Sequence, residues 1–264
     1  MKKIICLVLA VCLTACLFAG CGKNDDKTAS DASEAQKTAE VIKFGTNAEF
    51  PPFEFVAANG VIDEFDGIDI CIAMEIAEQN GATAKIENME FDSLLVALQN
   101  KQIDAVIAGM TATDERKESV NFSTPYYKAT QVMIVKEDST IAKASDMADK
   151  KIVVIQGYTG ETCVKDMGYN YESFKKGTEA VMELVNGKCD VVVIDSATAS
   201  KYVKDNPGLK IVEDAEAFET EEYAVAVNKD NTELLEKINK AIDKLLADGK
   251  VNEYAAKYAE ATEE

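Results

Sequence analysis

The chain has 264 residues, of which 47% are hydrophobic and 28% charged, an ordinary composition for a soluble globular protein of one or two domains. Its formal net charge of −19 argues against nucleic acid as a partner, because no basic surface is available to bind phosphates. The chain contains no His, which excludes His-ligated zinc and catalysis by Ser-His-Asp or Cys-His groups; with no phosphate-binding loop or metal-ligand cluster either, we expect no cofactor and no metal.

Residues 1–21 are predicted to be a signal peptide, with Lys2 and Lys3 before an apolar stretch that is too short to span a membrane. The stretch ends in Leu17-Phe18-Ala19-Gly20-Cys21, which resembles the lipobox of bacterial lipoproteins. We therefore expect Cys21 to carry the lipid, including palmitate, and to anchor the protein at the extracytoplasmic face of the cell membrane. Cys16 ends a similar stretch and is the alternative lipidation site. Residues 22–40 are polar and predict a disordered tether.

Short apolar strands alternate with amphipathic helices from Val41 onward, which predicts an α/β protein with parallel strands. The first set comprises strands at 41–46, 83–86, 104–108 and 130–136, and helices at 67–79 and 91–99. A short helix that carries Arg116 is predicted to begin at the capping box of residues 111–114. The second set comprises strands at 151–155, 190–194 and 222–228, and helices from 159, at 179–185, at 196–204 and at 234–246. Two similar sets predict two lobes.

Polar or flexible residues follow three predicted strands, at Gly109, Gln156 and Asp195. Ligands of open α/β sheets bind beyond the carboxyl ends of the strands, so we expect these positions to face one cleft. Asp195 follows four consecutive apolar residues and would bring a carboxylate to the rim of that cleft. It could instead cap the helix that begins at Ser196.

Arg116 is the only arginine of the chain. Its planar fork matches a carboxylate with two parallel hydrogen bonds, and the backbone of residues 109–111, including Met110 and Thr111, offers further donors. A cation and an anion across a cleft would suit the two ends of a free amino acid. From spacing alone, Arg116 could equally form a surface ion pair with Asp114 or Glu115.

Other candidates are less specific. Phe50 and Phe91 could pack on the stem of a ligand or belong to an ordinary core. Asn47 and Glu49 follow the first strand and could recognise a ligand side chain or be solvated. Whether Cys163 and Cys189 form a disulfide stays open.

Several segments resemble the polar amino-acid-binding proteins of ABC importers, bacterial solute-binding protein family 3. They are Thr46-Asn47-Ala48-Glu49-Phe50-Pro51-Pro52-Phe53, Phe65-Asp66-Gly67-Ile68-Asp69, Met89-Glu90-Phe91-Asp92-Ser93, Ala108-Gly109-Met110-Thr111-Ala112-Thr113-Asp114-Glu115-Arg116-Lys117 and Ile155-Gln156-Gly157-Tyr158-Thr159-Gly160. The resemblance covers about residues 41–258.

The resemblance implies a two-lobed periplasmic-binding-protein fold of type II with two crossing hinge strands, at 129–132 and 223–225. Lobe 1 would comprise residues 41–131 plus 224–264, and lobe 2 residues 132–223. Arg116 would bind the ligand carboxylate, helped by backbone at Thr111 and Gly160. Asp195 and the backbone of Gly109 would bind the ammonium, and Phe50 and Phe91 would sandwich the side chain. The full expected set of ligand-binding residues is Asn47, Glu49, Phe50, Phe91, Gly109, Met110, Thr111, Arg116, Gln156, Thr159, Gly160 and Asp195.

The expected function is capture of a polar L-amino acid for an ABC permease by a monomeric protein that is not an enzyme. Basic ligands (arginine, lysine or histidine) are favoured over glutamine or cystine, because the second lobe resembles binders of basic amino acids most. Glu49 and Glu161 could supply negative charge there. Two rival hypotheses are an enzyme similar to cyclohexadienyl dehydratases and a sensory ligand-binding protein.

Overall fold

The structure is a computed structural model that describes residues 40–260. The predicted signal peptide, the predicted lipidation site Cys21 and its alternative Cys16 lie outside the described residues. So do the predicted tether, except for its last residue, and residues 261–264. Within residues 40–260, no helix has the length and apolar character needed to cross a membrane.

Before residue 123, strands of one large sheet alternate with helices, and three short strands form a small separate sheet. They are β1 (Glu40–Thr46), β2 (Glu49–Phe50), β3 (Glu54–Val56), β4 (Phe65–Asp66), α1 (Ile68–Gln79), β5 (Ala82–Asn88), α2 (Leu94–Gln99), β6 (Ala105–Val106), α3 (Asp114–Ser119) and β7 (Val120–Phe122).

The remaining elements repeat the alternation and end in two helices. They are β8 (Tyr127–Lys136), β9 (Ile152–Ile155), α4 (Thr159–Asp166), β10 (Tyr171–Phe174), α5 (Gly177–Val185), β11 (Val191–Asp195), α6 (Ser196–Asp205), β12 (Leu209–Val212), β13 (Thr220–Tyr223), β14 (Ala226–Asn228), α7 (Thr232–Ala247) and α8 (Lys250–Glu260).

The first large sheet has the strand order β5-β1-β6-β14-β7. β1 runs parallel to β5 and β6, and β14 runs antiparallel to β6 and β7. Phe44, Val106 and Val227 are fully buried in it, as expected for strands covered on both faces. β14 comes from the far end of the chain, so this sheet combines residues from both ends of the described segment.

The second large sheet has the order β10-β9-β11-β8-β12, with β13 paired to the other end of β8. β10, β9 and β11 run parallel, whereas β8 and β12 are antiparallel to their neighbours. Every residue of β9 and β11 is buried, which agrees with their uninterrupted apolar runs. Asp195 is the last residue of β11 and the only charged one in these two strands.

Two segments of the chain connect the large sheets. The beginning of β8 pairs with β13, with Tyr127 opposite Tyr223. Beyond Tyr223 the chain passes to the first sheet, where the Ala224 N–H donates to the Met110 carbonyl at 3.1 Å. The predicted hinge segment 129–132 lies within β8, and segment 223–225 comprises the last residue of β13 and the two residues before β14.

Two predictions of local structure are wrong in detail, and one question that the sequence left open is answered. Residues 222–228 form two strands, because the chain changes partners from β8 to β6 and β7 near Ala224. The cap of α3 is Thr113, whose hydroxyl accepts the Arg116 N–H, instead of Thr111 at the start of the predicted capping box. The possible disulfide is absent, since Cys163 and Cys189 are both free thiols.

Candidate functional site

Arg116 bridges the two sides of the molecule. The cap at Thr113 sets the first turn of α3 and so directs Arg116 inward. Its Nη1 donates to the Thr111 carbonyl at 2.8 Å, and its Nη2 donates to the Gly157 carbonyl at 2.9 Å. Gly157 lies between β9 and α4, on the side of the second sheet, so one guanidinium holds backbone from both sheets.

The surface ion pair considered for Arg116 does not form. Among the described residues, Asp114 pairs with Lys117 at 3.0 Å, and Arg116 makes no salt bridge. The Arg116 guanidinium lies 5.3 Å from the ring centre of Phe91, a cation–π arrangement. Burial lowers the pKa of Arg116, while the negative charges of Glu221 and then Asp195 act in the opposite sense.

Asp195 is buried, with 3% of its surface exposed. It occupies the cap position of α6, yet its side chain makes no capping hydrogen bond, so capping does not explain it. The Tyr223 hydroxyl instead donates to Oδ1 at 2.5 Å. Burial, and next the negative charge of Glu221, raise the pKa of Asp195, whereas the hydrogen bond from Tyr223 lowers it.

Arg116 and Asp195 line one small cavity between the two sheets. Its complete lining is Phe50, Phe91, Ala108, Gly109, Thr111, Arg116, Tyr158, Thr159 and Asp195. The cavity volume is about 10 Å³, which is room for roughly one water molecule. An amino acid would therefore enter only if the walls moved apart.

Tyr158 was not among the predicted site residues, and it occupies the space between the two predicted aromatics. Its ring centre lies 4.5 Å from that of Phe91 and 5.3 Å from that of Phe50. The Tyr158 hydroxyl donates to Asn47 Oδ1 at 3.3 Å. Its position directly after β9, at the start of α4, is the sequence signal that could have identified it, since strand ends meet at this cleft.

Glu221 was also missed, and it joins the two sides through hydroxyl groups. Its Oε2 accepts from the Thr111 hydroxyl at 2.6 Å and from the Thr159 hydroxyl at 2.8 Å. Thr111 follows β6 of the first sheet, and Thr159 begins α4 on the second. Gln131 of β8 completes this network by donating to the Thr159 hydroxyl at 3.0 Å.

The two acidic residues that were expected to supply negative charge for a basic ligand bind other groups of the protein. Glu49 forms an ion pair with Lys176, at 2.9 Å, from the other side of the cleft. Glu161 accepts the Gly157 N–H at 2.7 Å and the Ser173 hydroxyl at 2.5 Å, and so shapes the turn that presents Gly157 to Arg116. Neither carboxylate lines the small cavity.

The predicted residues divide into three groups by position. Seven line the small cavity, namely Phe50, Phe91, Gly109, Thr111, Arg116, Thr159 and Asp195. Met110 lines only the larger cleft described next. Four line neither, namely Asn47, Glu49, Gln156 and Gly160. Gln156 is exposed and lines neither cavity, so a ligand contact by its side chain stays a prediction.

A larger open cleft of about 1430 Å³ adjoins the small cavity and shares Phe91, Thr111, Arg116 and Thr159 with it. Its charged lining residues are seven acids and two bases, namely Asp92, Glu115, Glu118, Asp166, Glu219, Glu221, Glu222, Arg116 and Lys128. This excess of carboxylates gives the approach to Arg116 and Asp195 a negative potential. Within residues 40–260, no group of three or more Cys, Asp or Glu residues could hold a metal ion.

Comparison with known proteins gives a consistent result. The profile of bacterial extracellular solute-binding proteins, family 3, matches residues 42–261. The arginine-binding extracellular protein ArtP of Bacillus subtilis is 32% identical over 264 residues, which cover 98% of this chain and 98% of ArtP.

Two solved structures extend the comparison to the fold. The arginine-, lysine-, histidine-binding protein ArtJ from Geobacillus stearothermophilus has a TM-score of 0.78 and 35% identity, over 83% of this chain and 95% of ArtJ. An ancestral arginine-binding protein bound to glutamine has a TM-score of 0.76 and 43% identity, over 83% of this chain and 97% of that one.

Proposed function

Because the chain belongs to family 3 of the bacterial extracellular solute-binding proteins, we propose that it captures a free L-amino acid and delivers it to the permease of an ABC importer. The resemblance seen in the sequence and the two-lobed α/β fold with two crossing strands are thereby confirmed. The family consists of solute-binding proteins, so the interpretation of the chain as a non-enzyme is confirmed as well. One observation carries the proposal: Arg116, on α3, and Asp195, at the end of β11, line the same cavity.

The two charged groups are suited to the two ends of an amino acid. Arg116 uses two of the five N–H donors of a guanidinium on neutral carbonyls, and a ligand carboxylate would accept from the others. Asp195 would accept from the ligand ammonium, which stabilises its ionised form. Burial of both ligand charges is tolerated because each meets an opposite charge.

A basic amino acid is the ligand we favour. The negative lining of the large cleft would attract a cation, and ArtP and ArtJ are described as binding arginine or basic amino acids. Glutamine is the alternative, because the ancestral arginine-binding protein was solved with glutamine bound. Cystine is a further alternative, for which the cavity offers no specific contact.

Binding would proceed by opening and closing of two lobes. We propose that residues 41–131 plus 224–264 form one lobe and residues 132–223 the other, with the crossing segments as hinge. The bonds that cross the cleft would break on opening, in particular those from Arg116 to Gly157 and from Lys176 to Glu49. Their reformation around the ligand would produce the closed state that docks on the permease.

We propose that the protein acts as a monomer and that lipid on Cys21 tethers it to the extracytoplasmic face of the membrane. Mass spectrometry of the protein purified from membranes, before and after substitution of Cys21 by Ala, tests the anchor. A retained lipid mass in the Cys21→Ala variant would exclude Cys21 and favour Cys16.

A thermal-shift screen of the twenty amino acids plus ornithine and cystine tests the function, because a ligand that binds only the folded protein raises its Tm. We expect the largest shifts with arginine, lysine or histidine, followed by calorimetric titration of the best ligand. The absence of any shift at millimolar amino acid, in a protein with cooperative unfolding, would contradict the proposal.

A further inference from the structure

Two carboxyl groups are buried together directly beneath the proposed site. Glu54 of β3 and Asp69 of α1 both have 0% of their surface exposed. Asp69 Oδ2 accepts from the Gly109 N–H and from the Tyr126 hydroxyl, each at 2.7 Å. Asp69 Oδ1 and both carboxyl oxygens of Glu54 have no N–H or hydroxyl partner among the described residues.

The unpartnered oxygens have a simple chemical explanation. A buried ionised carboxylate without a donor or a cation is very unfavourable, and two carboxylates in contact cannot both be ionised. Within the described part of the chain, neither group has a Lys or Arg within salt-bridge distance. One proton shared between the two carboxyl groups would provide the missing donor.

The surroundings favour retention of that proton by Glu54. Burial, and next the negative charge of Asp69, raise the pKa of Glu54 well above its ordinary value, and Asp195 adds to this effect. Burial raises the pKa of Asp69 to about 6, against the hydrogen bonds from Gly109 and Tyr126, which lower it. The other titratable groups that face the pair are the hydroxyls of Tyr126 and Tyr158, and burial raises the pKa of both.

We propose that Glu54 is held as a neutral acid that donates to Asp69 and, through Asp69, positions the Gly109 peptide at the wall of the amino-acid site. Glu54 is thus a positioning residue, and this role rests on the proposed function. Gly109 lines the small cavity with φ of +52°, and its Cα lies so close to the Phe50 ring that a Cβ would meet it at 2.5 Å. The Asp69 carboxylate accepts the Gly109 N–H and so fixes the plane of the Ala108–Gly109 peptide, both residues of which line the small cavity. The Gly109 carbonyl, the group expected to face the ligand ammonium, follows directly from this fixed peptide.

The first test needs no ligand. Glu54→Gln keeps the shape and supplies a permanent N–H donor, whereas the wild-type acid must retain a proton that the unfolded chain releases. The folded wild-type protein therefore binds more protons than its unfolded state and loses stability as pH rises above the ordinary pKa of Glu. We expect the folding equilibrium constant of Glu54→Gln, relative to wild type, to rise by up to about tenfold per pH unit between pH 5 and 7 in urea titrations, the limit set by one proton.

Glu64→Gln is the matched control, because Glu64 is exposed between β3 and β4 of the same small sheet. The folding equilibrium constant of Glu64→Gln, relative to wild type, should change little over the same pH range. A ratio for Glu54→Gln as flat as that of Glu64→Gln would overturn the proposal, since it would mean that the folded protein holds no extra proton at Glu54.

The second test asks whether the acid positions the site. By calorimetry with L-arginine and L-glutamine at pH 7, we expect Glu54→Ala to weaken binding at least tenfold and Glu54→Gln to restore wild-type affinity within a factor of two. Equal losses in both variants would overturn the positioning role. A wild-type protein that binds no amino acid would overturn the proposed function and this role with it, whereas the urea titrations would still decide the protonation of Glu54.

Discussion

Replacement of Arg116 by Ala should remove amino-acid binding and preserve the fold. The side chain makes two hydrogen bonds, at 2.8 Å to Thr111 and 2.9 Å to Gly157, and it is half-buried at the mouth of the small cavity. The substitution leaves a ligand carboxylate buried without a cation. Removal of one partner from such a buried pair costs about 3–5 kcal/mol.

That free energy corresponds to a Kd raised by roughly two to four powers of ten, since each tenfold change is about 1.4 kcal/mol. The Kd of Arg116→Lys should lie between those of the wild type and Arg116→Ala, because Lys keeps the charge and loses the planar fork that holds two acceptors at once. The loss of one charge-assisted hydrogen bond is about 1.5–3 kcal/mol, so we expect Kd to rise by roughly 10- to 150-fold.

Calorimetric titration with L-arginine measures these changes, and urea unfolding verifies that each variant is folded. Lys117→Ala is the matched control, because Lys117 is the next cation of α3 and forms only an exposed pair with Asp114. Its Kd should stay within about twofold of wild type. A Kd for Arg116→Ala within threefold of wild type would refute the assignment of Arg116 to the ligand carboxylate.

Three further predictions address the rest of the site. Burial raises the pKa of Asp195, and a ligand ammonium would lower it again. The affinity of the wild-type protein should therefore rise with pH until Asp195 is fully ionised, and binding should release protons. In calorimetry, Asp195→Asn should bind the ligand more weakly and without this pH dependence. Gly109→Ala should destabilise the protein by more than Gly81→Ala in urea: both glycines have positive φ, which costs an Ala about 1–2 kcal/mol, but only at Gly109 does the new Cβ meet a ring, at 2.5 Å. Lys176→Ala should change Kd by less than about threefold, less still at high salt, because the pair with Glu49 is partly exposed; a change as large as that of Arg116→Ala would contradict this.

The fold was predictable wherever apolar residues formed a long run or recurred at the spacing of a helix. The apolar run before Asp195 predicts β11, and the helical stripe from Leu234 to Leu246 predicts α7. The sheet of β2, β3 and β4 has strands of two or three residues, too short to show alternation. The break between β13 and β14 reflects a change of pairing partners, which no local pattern encodes.

The site was predictable only where one residue had a distinctive chemistry. Arg116 stands out as the only arginine, and Asp195 as an acid at the end of an apolar strand. Tyr158 was overlooked although it follows a buried strand, and Glu221 could not be selected from the sequence, because its role depends on which groups the second sheet brings to the first. The pairing of Glu49 with Lys176, 127 positions away, depends on the same arrangement.

The partners of Arg116 explain why one cation is enough for the proposed site. Both hydrogen bonds of its guanidinium go to neutral carbonyl oxygens, which orient the group without neutralising it. Glu221, the first of the negative groups that raise its pKa, directs one carboxylate oxygen to the hydroxyls of Thr111 and Thr159. A guanidinium already engaged in a close ion pair would have to give up that partner before it could bind a ligand carboxylate. Arg116 is instead held in place by dipoles, so that its charge stays available to the ligand, and the lobes gain most by closing when a carboxylate is present.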